Sequence, residues 1–115
     1  MADSNATTAM RDLRWSAKEK AIAHKAFDRA LKQELDEVIQ KAKNSAEKIK
    51  EPKELWDLER WLTRRRQEID QKYDFRYSVL PEVFAGLLRE RRLNEEDLHG
   101  LGQDKLDYIR FLALI

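Results

Sequence analysis

The chain has two histidines, His24 and His99, and neither stands at a metal-ligand or catalytic spacing. Zinc hydrolases place two His one helical turn apart with a Glu between them, and no such pattern occurs. There is no cysteine, which removes disulfides, thiolate zinc sites and Cys nucleophiles. Three glycines are too few for a phosphate cradle, and the G-x-S-x-G nucleophile elbow is missing. Glu95, Glu96 and Asp97 form an acidic run, but they follow Asn94 and suit the positive end of a helix. Glu37/Lys41 and Glu68/Lys72 read as ordinary i, i+4 pairs on a solvated face. No catalytic residue, metal or cofactor is expected.

Two arginine runs, Arg64-Arg65-Arg66 and Arg89-Glu90-Arg91-Arg92, raise the question of nucleic acid. Three consecutive helical residues spread over about 200°, so the first run is not one basic face. Glu59, Glu68 and Asp70 flank it, and an ion-paired surface explains both runs without nucleic acid. A second cluster is more informative. With Trp56 at zero and about 100° per residue, Arg60 falls at about +40°, Thr63 at about −20°, Glu59 at about −60° and Arg66 at about −80°. Trp56, Glu59, Arg60 and Arg66 therefore form one candidate partner-binding face, and Trp and Arg are enriched at binding hot spots. The alternative is a Trp partly covering a packing seam, with Arg60 stacked on it as a surface cation–π pair.

The elements that must carry these residues are helices. Ser16-Ala17-Lys18-Glu19 is a capping box, and from there to about Lys50 no Gly or Pro interrupts. Leu35, Val38, Ala42, Ser45 and Ile49 form an a/d-type stripe. Glu51-Pro52 breaks the helix, and Leu55, Leu58, Leu62, Ile69 and Tyr73 continue a stripe on a second one. Two long striped helices joined at a short break imply an antiparallel hairpin. Two narrow stripes make a poor core, so the hairpin is expected to meet a second copy. Leu35, Val38, Ile39, Ala42, Ile49, Leu55 and Leu62 are the expected dimer interface. Val79, Leu80, Val83, Phe84, Leu87 and Leu88 make a wider apolar face, and Gln103–Ile115 reads as a last helix.

The expected fold is all-α, a long antiparallel hairpin plus a small helical head, assembled as an extended homodimer. Residues 1–12 are expected to be a disordered tail, 13–76 the hairpin and 77–115 the head. Composition agrees: 115 residues fit one domain, and 3 Gly with 2 Pro argue against a turn-rich β fold. Basic and acidic residues number 23 and 22, a net charge of +1 with no overall pull towards nucleic acid or an acidic membrane. Mean hydropathy is -0.79, no stretch has the length and apolarity of a membrane span, and no signal peptide is visible. A cytoplasmic location is expected.

The block Glu68-Ile69-Asp70-x-Lys72-Tyr73-Asp74-x-Arg76-x-Ser78-Val79 carries a resemblance that composition and periodicity do not show. With Trp15-Ser16, Glu34-Leu35-Asp36, Leu55-Trp56, Val83-Phe84-Ala85 and Leu87-Leu88, it resembles the cyanobacterial fluorescence recovery protein family from Trp15 to about Ile109. The resemblance implies a non-enzymatic, all-α homodimer. Such a dimer binds the light-activated orange carotenoid protein through that protein's C-terminal domain and hastens its return to the resting state. It implies a functional patch of Trp, His, Asp and Arg, matched here by Trp56, Glu59, Arg60 and Arg66. Glu59 and Arg60 depart from the family's His and Asp. Pro81-Glu82 stands where the family is apolar and aromatic, Tyr108 where its best-known members are basic, and Arg91 where it has Gly. Three readings follow: a recovery protein acting on the carotenoid protein, a diverged scaffold that keeps the dimer but binds another partner, and a helical nucleic-acid binder.

Overall fold

Ser16 starts the first helix by the reciprocal bonding its capping box predicts. Its Oγ accepts from the Glu19 amide at 3.1 Å, and Glu19 Oε1 accepts from the Ser16 amide at 3.0 Å. Helix α1 then runs over Ala17–Glu47, and Pro52 opens α2, Pro52–Lys72, where its missing amide costs nothing. Glu54 reaches back to accept from the amides of Lys50 and Glu51 at 3.3 and 3.1 Å. Helix α3, Leu80–Arg89, a 3₁₀ turn at Glu95–Leu98 capped by Asn94, and α4, Gln103–Leu114, complete the chain. The computed structural model describes residues 14–115, so the tail expected at 1–12 lies outside the described residues. Among the described residues every regular element is helical.

Contacts between α1 and α2 run in reverse order along the chain. Lys41 Nζ sits 4.8 Å from the Trp61 ring centre, while Glu34 meets Arg65 and Lys72 further along. This pair is the long part of a molecule measuring 61 × 30 × 24 Å. The apolar core lies at one end. Ala23, Ala26, Phe27 and Ala30 from α1 pack with Leu80, Phe84, Leu87, Leu93, Leu98, Leu101 and Ile109. The first half of α1 is thus one wall of the head, and a cut between residues 76 and 77 would pass through the core. Beyond Ala30 the two long helices share little buried surface, and Ile69 is the one buried residue of α2.

Residues 73–79 form a strap rather than a helix, irregular over 73–76 and a turn over 77–79. Tyr73, Phe75 and Tyr77 face the start of the chain's first helix. Phe75 meets Phe27 edge-on at 4.9 Å and stacks on His24 at 4.1 Å, and Tyr77 lies 5.5 Å from Trp15. Asp74 and Arg76 pair with each other at 2.6 Å.

Helix α3 ends in a Schellman motif, with Arg91 N donating to Leu88 O and Arg92 N to Leu87 O at 3.1 and 2.9 Å. That motif needs a left-handed residue, and here Arg91 adopts φ 60°. A side chain in that region costs about 1–2 kcal/mol, which glycine avoids. Arg91→Gly should therefore raise stability by about 1 kcal/mol, read as a higher midpoint in thermal unfolding followed by circular dichroism.

Candidate partner-binding site

The four candidate contact residues all lie on α2, on the side turned away from α1. Trp56 is 56% exposed, whereas Trp61, about one and a half turns further on, is half-buried in the seam beneath Lys41. Sequence reasoning did not single out Trp61; its wheel position opposite Trp56 is the signal that could have found it. Arg60 does not stack on Trp56 but pairs with Asp57 one turn back. Glu59 accepts from the Thr63 hydroxyl at 3.2 Å, and Arg66 stands loosely beside Asp70 at 3.8 Å. The face is thus an exposed indole among exposed charges that hold one another along the helix.

The expected interface residues divide into two groups. Val38, Ala42 and Ile49 are half-buried, with Val38 and Ile49 lining grooves shared with Trp61 on α2. Leu35, Ile39, Leu55 and Leu62 are between 37% and 51% exposed. Measured from the line where the helices touch, both exposed pairs lie about 100° round their own axes in the sense of the chain. Because the helices run oppositely, those rotations bring them to the same side. One side of the pair is apolar, and Arg66 and Glu59 border it.

The expected i, i+4 pairs are replaced by longer-range partners. Glu37 takes Arg92 at 2.9 Å rather than Lys41, and Lys72 turns from Glu68 to Glu34 and Glu90 at 2.7 and 2.8 Å. The arginine runs are partly consumed inside the molecule in the same way, since Arg65 and Arg92 both face Glu34. Glu34 is 1% exposed. It accepts from Arg65 Nη2 at 2.7 Å, Lys72 Nζ at 2.7 Å and the Tyr73 hydroxyl at 2.8 Å. Arg92 Nε lies 3.0 Å from Oε1, an ion-pair contact without hydrogen-bond alignment.

A second buried acid ties the ends of the head together. Glu19 Oε2 accepts from the Gly102 amide at 2.7 Å and lies 3.1 Å from the buried Lys105 ammonium. Burial pushes both carboxyls up. At Glu19 the amides of Ser16 and Gly102 with Lys105, and at Glu34 the donors Lys72, Arg65 and Tyr73, outweigh it and hold each at about 2. The model-peptide value is 4.5, so the unfolded chain takes up these protons first as pH falls. Their contribution is complete above about pH 4.5 and is lost between there and about pH 2. Melting temperature should be flat near neutrality and drop across that window, and Glu34→Gln should flatten the drop.

No three His, Asp or Glu side chains converge as a ligand set among the described residues. No helix of the described residues is long and apolar enough to cross a membrane. The described residues form a long helix pair with a helical head and an exposed face of mixed aromatic and charged side chains. A sequence profile of the photoprotection regulator fluorescence recovery protein matches residues 15–113. The fluorescence recovery protein of Synechocystis sp. PCC 6803 is 40% identical over 99 residues, 86% of this chain and 91% of that protein. The solved fluorescence recovery protein of Fremyella diplosiphon superposes with a TM-score of 0.84 at 40% identity, covering 89% of this chain and 100% of that one. The Synechocystis structure gives 0.84 at 39% identity, with the same shares of the two chains. The chain belongs to the fluorescence recovery protein family, a family of photoprotection regulators.

Proposed function

We propose that this chain is a non-enzymatic, cytoplasmic regulator that acts as a homodimer of helical hairpins on the orange carotenoid protein. It would bind the C-terminal domain of the photoactivated form and speed its return to the resting state. The observation that carries this reading is Trp56, an indole left 56% exposed on the outer side of α2, with exposed Arg60 one turn on and exposed Arg66 further along the helix. A large exposed aromatic flanked by Arg is the composition of a binding hot spot. Regulation by such a partner is differential binding. A dimer that favours the compact form, or the path to it, shifts both population and rate. The dimer would close over the apolar side carrying Leu35, Ile39, Leu55 and Leu62.

The test is the dark recovery of photoactivated orange carotenoid protein, followed by absorbance, with and without this chain. Accelerated recovery is expected. A second reading, a scaffold that keeps the dimer and binds another partner, is favoured by Arg60. A guanidinium bridged to Asp57 stands where the resemblance implies an acid, and inverted charge at a contact can cost several kcal/mol. Unchanged recovery with a well-folded dimer would replace the first reading with the second.

A further inference from the structure

The Glu34 cluster sits at the junction between the head and the long pair. Upstream of it, α1 packs into the head core; downstream, past the ion pair of Glu37 with Arg92, α1 runs beside α2. Its partners come from three separate parts of the chain: Arg65 and Lys72 of α2, Tyr73 of the strap, and Arg92 in the Schellman turn that ends α3. Arg92 also holds Glu37 at 2.9 Å and Glu90 at 3.5 Å, and Lys72 holds Glu90, so the head is joined to both long helices. The apolar contact between α1 and α2 is too sparse to resist sliding or rolling by itself. Small apolar residues such as Val38 and Ala42 would accept several neighbouring registers. A carboxylate with 1% exposure tolerates only the arrangement that keeps its donors in place, because leaving it unpaired costs several kcal/mol.

We propose that Glu34 is a positioning residue, the pin that fixes the register and rotation of α2 against α1 and the head. Arg92 is the part of the pin that belongs to the head. The pin sets the direction in which Trp56 and Arg66 face relative to the head, so that a partner meets one rigid surface. Its bearing on partner binding rests on the function proposed above, whereas the geometry does not. Buried ionic groups serve best as register devices of this kind, and their net contribution to stability is often small.

The absence of cysteine makes a distance measurement clean. Spin labels at Lys53→Cys, at the start of α2, and Glu82→Cys, in the head, are both on exposed positions. The doubly labelled chain is mixed with excess unlabelled chain so that any dimer carries one labelled copy. The parent should give one narrow distance. Glu34→Gln and Arg92→Gln should shift it or broaden it by about twofold or more, with far-ultraviolet circular dichroism unchanged. An unaltered narrow distance in folded Arg92→Gln would overturn the proposal. Should Glu34→Gln lose helicity, Arg92→Gln decides alone, since it leaves Glu34 its three hydrogen bonds. The distance needs no partner. A parent chain without effect on carotenoid protein recovery would sink the proposed function and leave this result standing.

Discussion

Ile39→Glu should turn the proposed dimer into a folded monomer of 13.7 kDa, read by light scattering at micromolar concentration. Ile39 is 51% exposed in the single chain, so the substitution removes nothing from the head core and costs the monomer little. In a two-fold dimer the same residue enters the interface twice. Each copy would lose about 1 kcal/mol of apolar burial and bring a carboxylate into the apolar side, with Lys43 one turn on as its nearest cation in the helix. A combined loss of about 4 kcal/mol weakens association about a thousandfold. Leu55→Glu, on the other helix of the same side, should act alike. A mass of two chains from both variants would place the interface elsewhere on the molecule.

Trp56→Ala should abolish the effect on the partner while leaving helicity and mass as they are. The residue is more than half exposed on a helix where alanine is the most favourable replacement. Its removal should change stability by no more than about 0.5 kcal/mol. At the centre of a contact the same truncation costs about 2 kcal/mol or more, a loss of about thirtyfold in affinity. Titration calorimetry against the photoactivated carotenoid protein gives the affinity, and recovery kinetics give the consequence. Retained binding would remove Trp56 from the contact. Trp61→Ala is the instructive comparison, because that indole lies in the seam under Lys41 and its loss should loosen the helix pair instead.

The long helices were legible because their signals are local. Ser16 and Glu19 lie one turn apart, Pro52 breaks the chain by its own chemistry, and an apolar period survives without knowledge of what covers it. The exposure of Trp56 agrees with its wheel position, whereas the expected interface was read as one stripe and the structure divides it between the seam of the helix pair and an exposed side. The Glu34 cluster did not, because its partners lie 31 and more residues away and nothing in an isolated glutamate announces burial. The i, i+4 rule assigned Glu37 and Lys72 to near neighbours, and tertiary partners outbid those weak pairs. The strap was hidden for another reason. Tyr73, Phe75 and Tyr77 alternate at period two, yet the run is too short to stand out beside a helix that ends at Lys72.

The bond from the Gly102 amide to Glu19 spans 83 residues and has a bearing on how the chain is made. At about 5–20 residues per second, a ribosome needs roughly 4–17 s to pass from one of these residues to the other. For most of that interval Ala23, Ala26, Phe27 and Ala30 have been synthesised while Leu98 and Leu101, which help complete the core around them, have not, and Ile109 follows later still. The nascent chain therefore emerges as a sticky helix awaiting its cover. A message truncated before residue 100 would leave that surface only partly covered, without Leu101 and Ile109, as a target for chaperones and proteases rather than a shortened regulator.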